Sequence, residues 1–150
     1  MRFEQPPPEP LANALGFLLS WNGQRMAGRF AASLEPLGLR PPHFGVLRLL
    51  EADPGVTQNE LVARSMIDAS TMVKVVDELE ELGLAERRMD PADRRRRSVF
   101  LTEKGHATFG RAMKVAVQTA EEALAPLDPD ERDTLRRLLR KLAGLGEPQG

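Results

Sequence analysis

At Gly83 the apolar spacing of this chain changes period. Upstream, Met72, Val75, Val76, Leu79 and Leu82 recur every three or four residues and share one face of a helix. Downstream, residues 84–89 and 98–101 read as short extended segments separated by residues 90–97. Asp68 can cap the helix, and Gly83 suits the position just past its end, where a left-handed residue closes the last turn. Before it, "TQNE" at residues 57–60 is a capping box: the Thr57 hydroxyl and the Glu60 carboxylate each satisfy a free backbone N–H. That helix is short, with Leu61 and Val62 inward, and its pattern breaks at residues 65–67. Two short helices with a tight break, the second about four turns long, describe a helix-turn-helix. The change of period at Gly83 then attaches a β-hairpin to it.

The flanks are helical. Leu11, Leu15, Leu18 and Leu19, with Trp21, Met26 and Phe30 beyond, make residues 11–34 one long helix, ended by Pro36 and Gly38. Pro41 and Pro42 suit the first turn of the next, whose stripe is Phe44, Leu47 and Leu50 and which stops at "ADPGV". Thr102 caps a long helix running to about residue 124. "LDPDE" starts the last one: Asp128 is the cap, Pro129 the first helical residue and Glu131 the reciprocal partner. Residues 1–10 are proline-rich and acidic, lack the basic-then-apolar order of a signal peptide, and read as a loose arm. The expected fold is mainly α with a small β-hairpin wing, in one domain of 150 residues.

Charge is unevenly placed. The formal total is −1, yet residues 87–97 hold six arginines against two aspartates, and residues 77–86 hold five carboxylates and no cation. "DPAD" at residues 90–93 is a turn, with Pro91 presetting φ. The run Arg94, Arg95, Arg96, Arg97 therefore falls on the tip and return arm of the hairpin, a poor place for like charges if stability were the only aim. In an alternating strand Arg94 and Arg96 face one side and Arg95 and Arg97 the other, so that one pair is free while the other meets the acidic face. Near-neutral total charge argues against indiscriminate coating of nucleic acid, but a local basic site acts through its local field.

Several classes are excluded. Without cysteine there is no disulfide, no thiolate zinc site, no cysteine nucleophile and no thiol-based peroxide sensing. Two histidines and no glycine-rich phosphate loop leave no recognisable catalytic set, so an enzyme is not expected, nor a metal or a cofactor. No run approaches the length of a membrane span, and a cytoplasmic protein fits.

From residue 37 to residue 105 the chain resembles the MarR family of bacterial winged-helix transcriptional regulators. The resemblance is carried by "PGVTQNELVARSMIDASTMVKVVDELEELGLAERRMDPADRRRRSVFLTEKG", and most specifically by Asp93, Arg94 and Arg95 followed by Leu101, Thr102 and Gly105. It implies a homodimer with intertwined terminal helices, residues 11–36 and 106–145, and a winged-helix lobe at residues 41–102 that reads a pseudo-palindrome in double-stranded DNA. It also implies, for many members, a small aromatic or phenolic acid bound between the dimer helices and the lobe, relieving repression.

These implications assign residues. Ser70, Thr71 and Lys74, exposed with Ala69 and Val73 on the helix from Asp68, are candidates for major-groove contact, since hydroxyls and a cation can bond base edges or phosphate. The competing role for Ser70 and Thr71 is to shape the helix start. By resemblance Arg95 inserts into the minor groove, Asp93 orients an arginine, and Arg94, Arg96 and Arg97 meet phosphate or internal partners. Three residues depart from the family's pattern: Glu78 and Glu81, where the resemblance suggests basic residues, and Arg40, where it suggests a capping threonine or serine. Trp21, Arg25, His43 and Phe44 border the implied effector pocket, although Trp21 and Phe44 also suit a core and His43 a satisfied polar group. With few aromatics, such a pocket fits a small apolar acid better than a large planar drug. Leu11, Leu15, Leu135, Leu138, Leu139 and Leu142 exceed what one lobe can cover and are candidates for the dimer interface. The alternative function is a winged-helix protein-interaction module without specific DNA binding, in which residues 77–86 would engage all four wing arginines.

Overall fold

The computed structural model describes residues 5–146. In chain order the elements are α1 (Glu9–Ala12), α2 (Leu15–Leu34), a 3-10 turn (Glu35–Leu37), α3 (Pro41–Ala52), β1 (Val56–Thr57), α4 (Gln58–Arg64), α5 (Ala69–Glu81), β2 (Ala85–Met89), β3 (Arg97–Leu101), α6 (Glu103–Ala123) and α7 (Pro129–Leu142). The fold is mainly α, with one antiparallel sheet in the order β1-β3-β2. The loose arm expected at residues 1–10 lies partly outside the described residues. Its end, Glu9 and Pro10, enters the single turn of α1.

The caps act as their sequences require. Thr57 and Glu60 exchange both bonds of the capping box that starts α4, and Asp128 and Glu131 do the same at α7. At the end of α5, Gly83 takes φ +72° and donates to the Glu80 carbonyl at 2.9 Å, while Leu84 donates to Leu79 at 2.9 Å. That pair of bonds closes the last turn as a Schellman motif and releases the chain straight into β2.

Two local expectations are corrected, and one strand was not expected. Residues 11–34 are not one helix: Asn13, a poor helix-interior residue, ends α1, and Ala14 is extended (ψ 110°) before α2 begins. β1 is only two residues long, too short for any period to register, and exists because Val56 and Thr57 pair with Val99 and Ser98. The arginine run does not alternate as a strand. Only Arg97 belongs to β3, opposite Met89, whereas Arg94 and Arg95 lie in a turn.

The core lies beneath the helix-turn-helix. Val46, Leu47 and Leu50 of α3 and Met72, Val75, Val76 and Leu79 of α5 are all at most 1% exposed, with Leu61, Leu84, Val99 and Leu101 completing the cluster. Leu82, expected on the same stripe, is the C-cap residue and is 37% exposed. Gly105 lets α6 approach β2: a Cβ there would sit 1.9 Å from the Leu84 carbonyl oxygen. Thr102 ties the same corner, accepting from Gly105 N–H at 3.0 Å and donating its hydroxyl to the Gly83 carbonyl at 2.6 Å. The Leu-Thr-x-x-Gly motif is thus the corner that seats the hairpin on α6. α2 packs along α6, while α7 contributes no buried residue.

Candidate nucleic-acid interface

Two basic or polar surfaces flank the end of the lobe. On α5 the exposed residues of the first turns are Ala69, Ser70, Val73 and Lys74, with Thr71 half-buried. The Asp68 side chain caps the helix and gathers its neighbours: Thr71 N–H donates to Oδ1 at 2.8 Å, Ser70 Oγ donates to Oδ1 at 2.7 Å and Thr71 Oγ1 donates to Oδ2 at 2.8 Å. The Thr71 N–H first, and then the Ser70 and Thr71 hydroxyls, hold the Asp68 carboxyl at about 2, below its ordinary 3.8. Both hydroxyl protons are therefore committed to Asp68, which leaves the two oxygens their lone pairs as acceptors. Just upstream, Met66 is wholly exposed, an apolar group that sequence reasoning did not single out.

The wing tip is built by its two aspartates. Asp90 Oδ1 accepts Ala92 N–H at 2.9 Å and Asp93 Oδ1 accepts Arg95 N–H at 3.0 Å. Asp90 N–H to the Arg96 carbonyl, 2.9 Å, closes the loop. Asp93 thus orients the main chain of the arginine run. Of the four guanidiniums only Arg96 has a partner among the described residues, Glu60 Oε1 at 3.3 Å. Arg94, Arg95 and Arg97 are exposed and carry no ion pair among the described residues.

The acidic stretch finds other cations. Arg87 of β2 takes Asp77 at 2.8 Å and Glu80 at 3.0 Å, and Arg88 takes Glu86. Glu78 Oε2 is bridged by the Arg40 guanidinium and by His43 Nε2, the latter at 2.6 Å. Since His43 Nδ1 accepts the Arg40 N–H at 3.0 Å, Nε2 carries the ring proton and donates to Glu78. His43 first and Arg40 second hold the Glu78 carboxyl below the usual range. His43 thus fills the N3 half of a capping box at the start of α3, by accepting the N–H of the N-cap residue; the Arg40 side chain has no acceptor for the other half. Glu78 is therefore a neutralised strut between α3 and α5, and of the two acidic departures only Glu81 stands exposed without an ion-pair partner among the described residues. A protein-interaction module would have residues 77–86 holding all four wing arginines, and the described contacts do not have that arrangement. The partnerships of Arg87 and Arg40 were not legible, because which cations meet residues 77–86 depends on packing across the fold.

The remaining candidates separate. On α2 the Arg25 guanidinium stacks over the Trp21 ring, 5.4 Å from its centroid, and its Nε is buried without a hydrogen-bond partner. His43 has both ring nitrogens engaged, and Phe44 is buried with its ring 5.1 Å from Phe30 and 5.9 Å from Phe109. Leu11, Leu15, Leu138, Leu139 and Leu142 are between 44% and 72% exposed, and Leu135 is half-buried.

The sequence pattern of the MarR family matches residues 37–96. A putative transcriptional regulatory protein for the hcr operon of Thauera aromatica is 36% identical over 134 residues, 88% of this chain and 80% of the relative. The transcriptional repressor CouR, solved bound to a 23-mer DNA duplex, is 34% identical with a TM-score of 0.81, covering 93% of this chain and 99% of that one. The Mycobacterium tuberculosis protein Rv2887, solved in complex with p-aminosalicylic acid, is 31% identical with a TM-score of 0.72, covering 86% and 98%.

Proposed function

The chain belongs to the MarR family, and on that premise we propose that it is a sequence-specific DNA-binding transcriptional repressor, acting as a homodimer on a pseudo-palindromic operator. The observation that carries this reading is the wing: three exposed guanidiniums without ion-pair partners among the described residues, two on a loop whose backbone two aspartates hold in shape and the third at the start of β3. Arg95 enters the minor groove, while Arg94, Arg97 and Arg96, once released from Glu60, meet phosphate. Lys74 adds a cation on α5. Ser70 and Thr71, their protons given to Asp68, act as acceptors toward base amino groups rather than as donors to phosphate. Residues 41–102 form the reading lobe, and residues 11–36 and 106–145 pair the two copies through Leu11, Leu15, Leu135, Leu138, Leu139 and Leu142.

The effector in this reading is a small aromatic or phenolic acid, the class represented by the acid bound to Rv2887. Arg25 and Trp21 are the candidates to hold it, a guanidinium with an unsatisfied nitrogen for the carboxylate and an indole for the ring. His43 and Phe44 contribute from behind, as part of the wall. The protein works in the cytoplasm and performs no catalysis. Among the described residues no helix is long and apolar enough to cross a membrane.

The test is selection of duplexes from a random pool, followed by salt titration. Half-sites should lie about one helical turn apart, and affinity should fall linearly on a log–log plot against salt. Arg95→Ala should cost about 1–3 kcal/mol of binding and relax preference at the A·T-rich flank. A native protein with no salt-sensitive preference for any duplex would sink the reading.

A further inference from the structure

Arg87 lies in β2 rather than at the wing tip, yet it has more polar partners among the described residues than any arginine of the 94–97 run. Its side chain is only 21% exposed. One guanidinium nitrogen donates to Asp77 Oδ1 at 2.8 Å and to Gln58 Oε1 at 3.0 Å, and the other lies 3.0 Å from Glu80 Oε1. The same Glu80 oxygen accepts the Arg87 main-chain N–H at 3.0 Å. Gln58 opens α4, Asp77 and Glu80 stand almost one turn apart on α5, and Arg87 lies in β2. One side chain therefore joins the wing to both helices of the helix-turn-helix.

A second cation shares that place. A cleft of about 670 Å³ is lined by Gln58, Asp77, Glu80, Arg87, Arg97 and Val99. Arg97 begins β3, and its guanidinium has no partner among the described residues. Two cations thus border one pair of carboxylates, and Arg87 already engages Asp77 Oδ1 and Glu80 Oε1. Charge-assisted bonds are strong when partly shielded from water, so carboxylates robbed of Arg87 would recruit the cation across the cleft.

We propose that Arg87 is a positioning residue for DNA recognition: by engaging Asp77 and Glu80 from the side of β2 it competes with Arg97 for them, keeps Arg97 free for the DNA backbone and holds the wing at a set distance from α5. The proposal rests on the DNA-binding reading, and it adds a role for a residue that touches no DNA. It explains how an acidic recognition helix tolerates a basic wing without disarming it. The acidic pair has its own dedicated counter-ion.

The experiment compares Arg87→Gln, the double variant Asp77→Asn/Glu80→Gln, and the triple variant that combines them, on a duplex selected by the native protein. Arg87→Gln should lower affinity about tenfold or more at low salt and reduce the salt slope by about 0.9 per protomer, the signature of one lost phosphate contact. Arg97→Ala should lose the same slope, and Arg87→Gln/Arg97→Ala no more than either. The triple variant should recover the slope of the double variant, because no carboxylate remains to capture Arg97. A merely structural Arg87 would not be rescued in this way. Should Arg87→Gln fail to fold, Arg87→Lys, which keeps the charge, should hold the native slope, and the triple variant still decides. NMR of the Arg97 side-chain Nε–Hε reads the competition without DNA: it should become ordered in Arg87→Gln and stay averaged in the triple variant. An unchanged slope in Arg87→Gln, or a slope loss that persists in the triple variant, overturns the proposal. A native protein that selects no duplex defeats the DNA-binding reading instead, while the Arg97 signal still decides the competition.

Discussion

Gly105 shows what a motif residue does when its reason is physical. A methyl group there would meet the Leu84 carbonyl oxygen at 1.9 Å, a backbone atom that also accepts the Thr102 N–H at 3.1 Å and cannot swing aside. Gly105→Ala should therefore destabilise the lobe by about 1–3 kcal/mol, through displacement of α6 from β2. Urea unfolding checks this: a midpoint equal to that of the native protein would refute it. The glycine was visible in the sequence as part of Leu-Thr-x-x-Gly, but the close approach that demands it was not. Glu78 reverses the lesson. In sequence it is one of four carboxylates on the candidate recognition helix, whereas in the fold Arg40 and His43 absorb its charge. The residues that neutralise it are 38 and 35 positions away.

At the scale of the element, the start of α5 is the most sensitive. Asp68 caps the helix through Thr71 N–H and also fixes the two hydroxyls, so one carboxylate governs both stability and the reading face. Its folded-state value of about 2 lies below the ordinary 3.8. The sign follows: the charged form is preferred in the folded state, so its stabilisation is complete above about pH 4 and is lost as pH falls through about 2. Glu78, also held low by His43 and Arg40, acts in the same direction. Thermal unfolding followed across that acid range should show a falling Tm. Asp68→Asn keeps a capping oxygen without a titrating group, so its Tm should fall less steeply over the same range. An Asn variant with the native pH profile would remove Asp68 from the account. The helix, its cap and its apolar stripe were all legible in the sequence, because each is contained within a turn or two of chain. β1 was not, because its two residues have no identity as a strand apart from β3.

At the scale of the whole molecule, the terminal helices remain open. α7 has no buried residue, and Leu138, Leu139, Leu142 and Leu145 stay 44–72% exposed. Arg132 ties it to the preceding turn, its Nε donating to the Leu124 and Leu127 carbonyls at 3.2 and 3.0 Å. If a second copy covers this stripe, Leu138→Glu/Leu142→Glu should yield monomers, weakening association about a hundredfold or more by placing carboxylates in an apolar seam. Sedimentation equilibrium measures it, and an unchanged dimer would place the interface elsewhere. The sequence by itself determined the order of the helices, the caps that begin them, the hairpin turn at Asp90 and the concentration of arginine beyond it. Periodicity, caps and turns are local, and a few neighbouring residues suffice to specify them. Only the tertiary structure decided which charges are spent inside the protein and which are left over. Arg87, Arg40 and Arg96 find Asp77, Glu80, Glu78 and Glu60 through packing of distant elements. The "RRRR" run therefore names four candidates, and the fold leaves Arg94, Arg95 and Arg97 without an ion pair among the described residues.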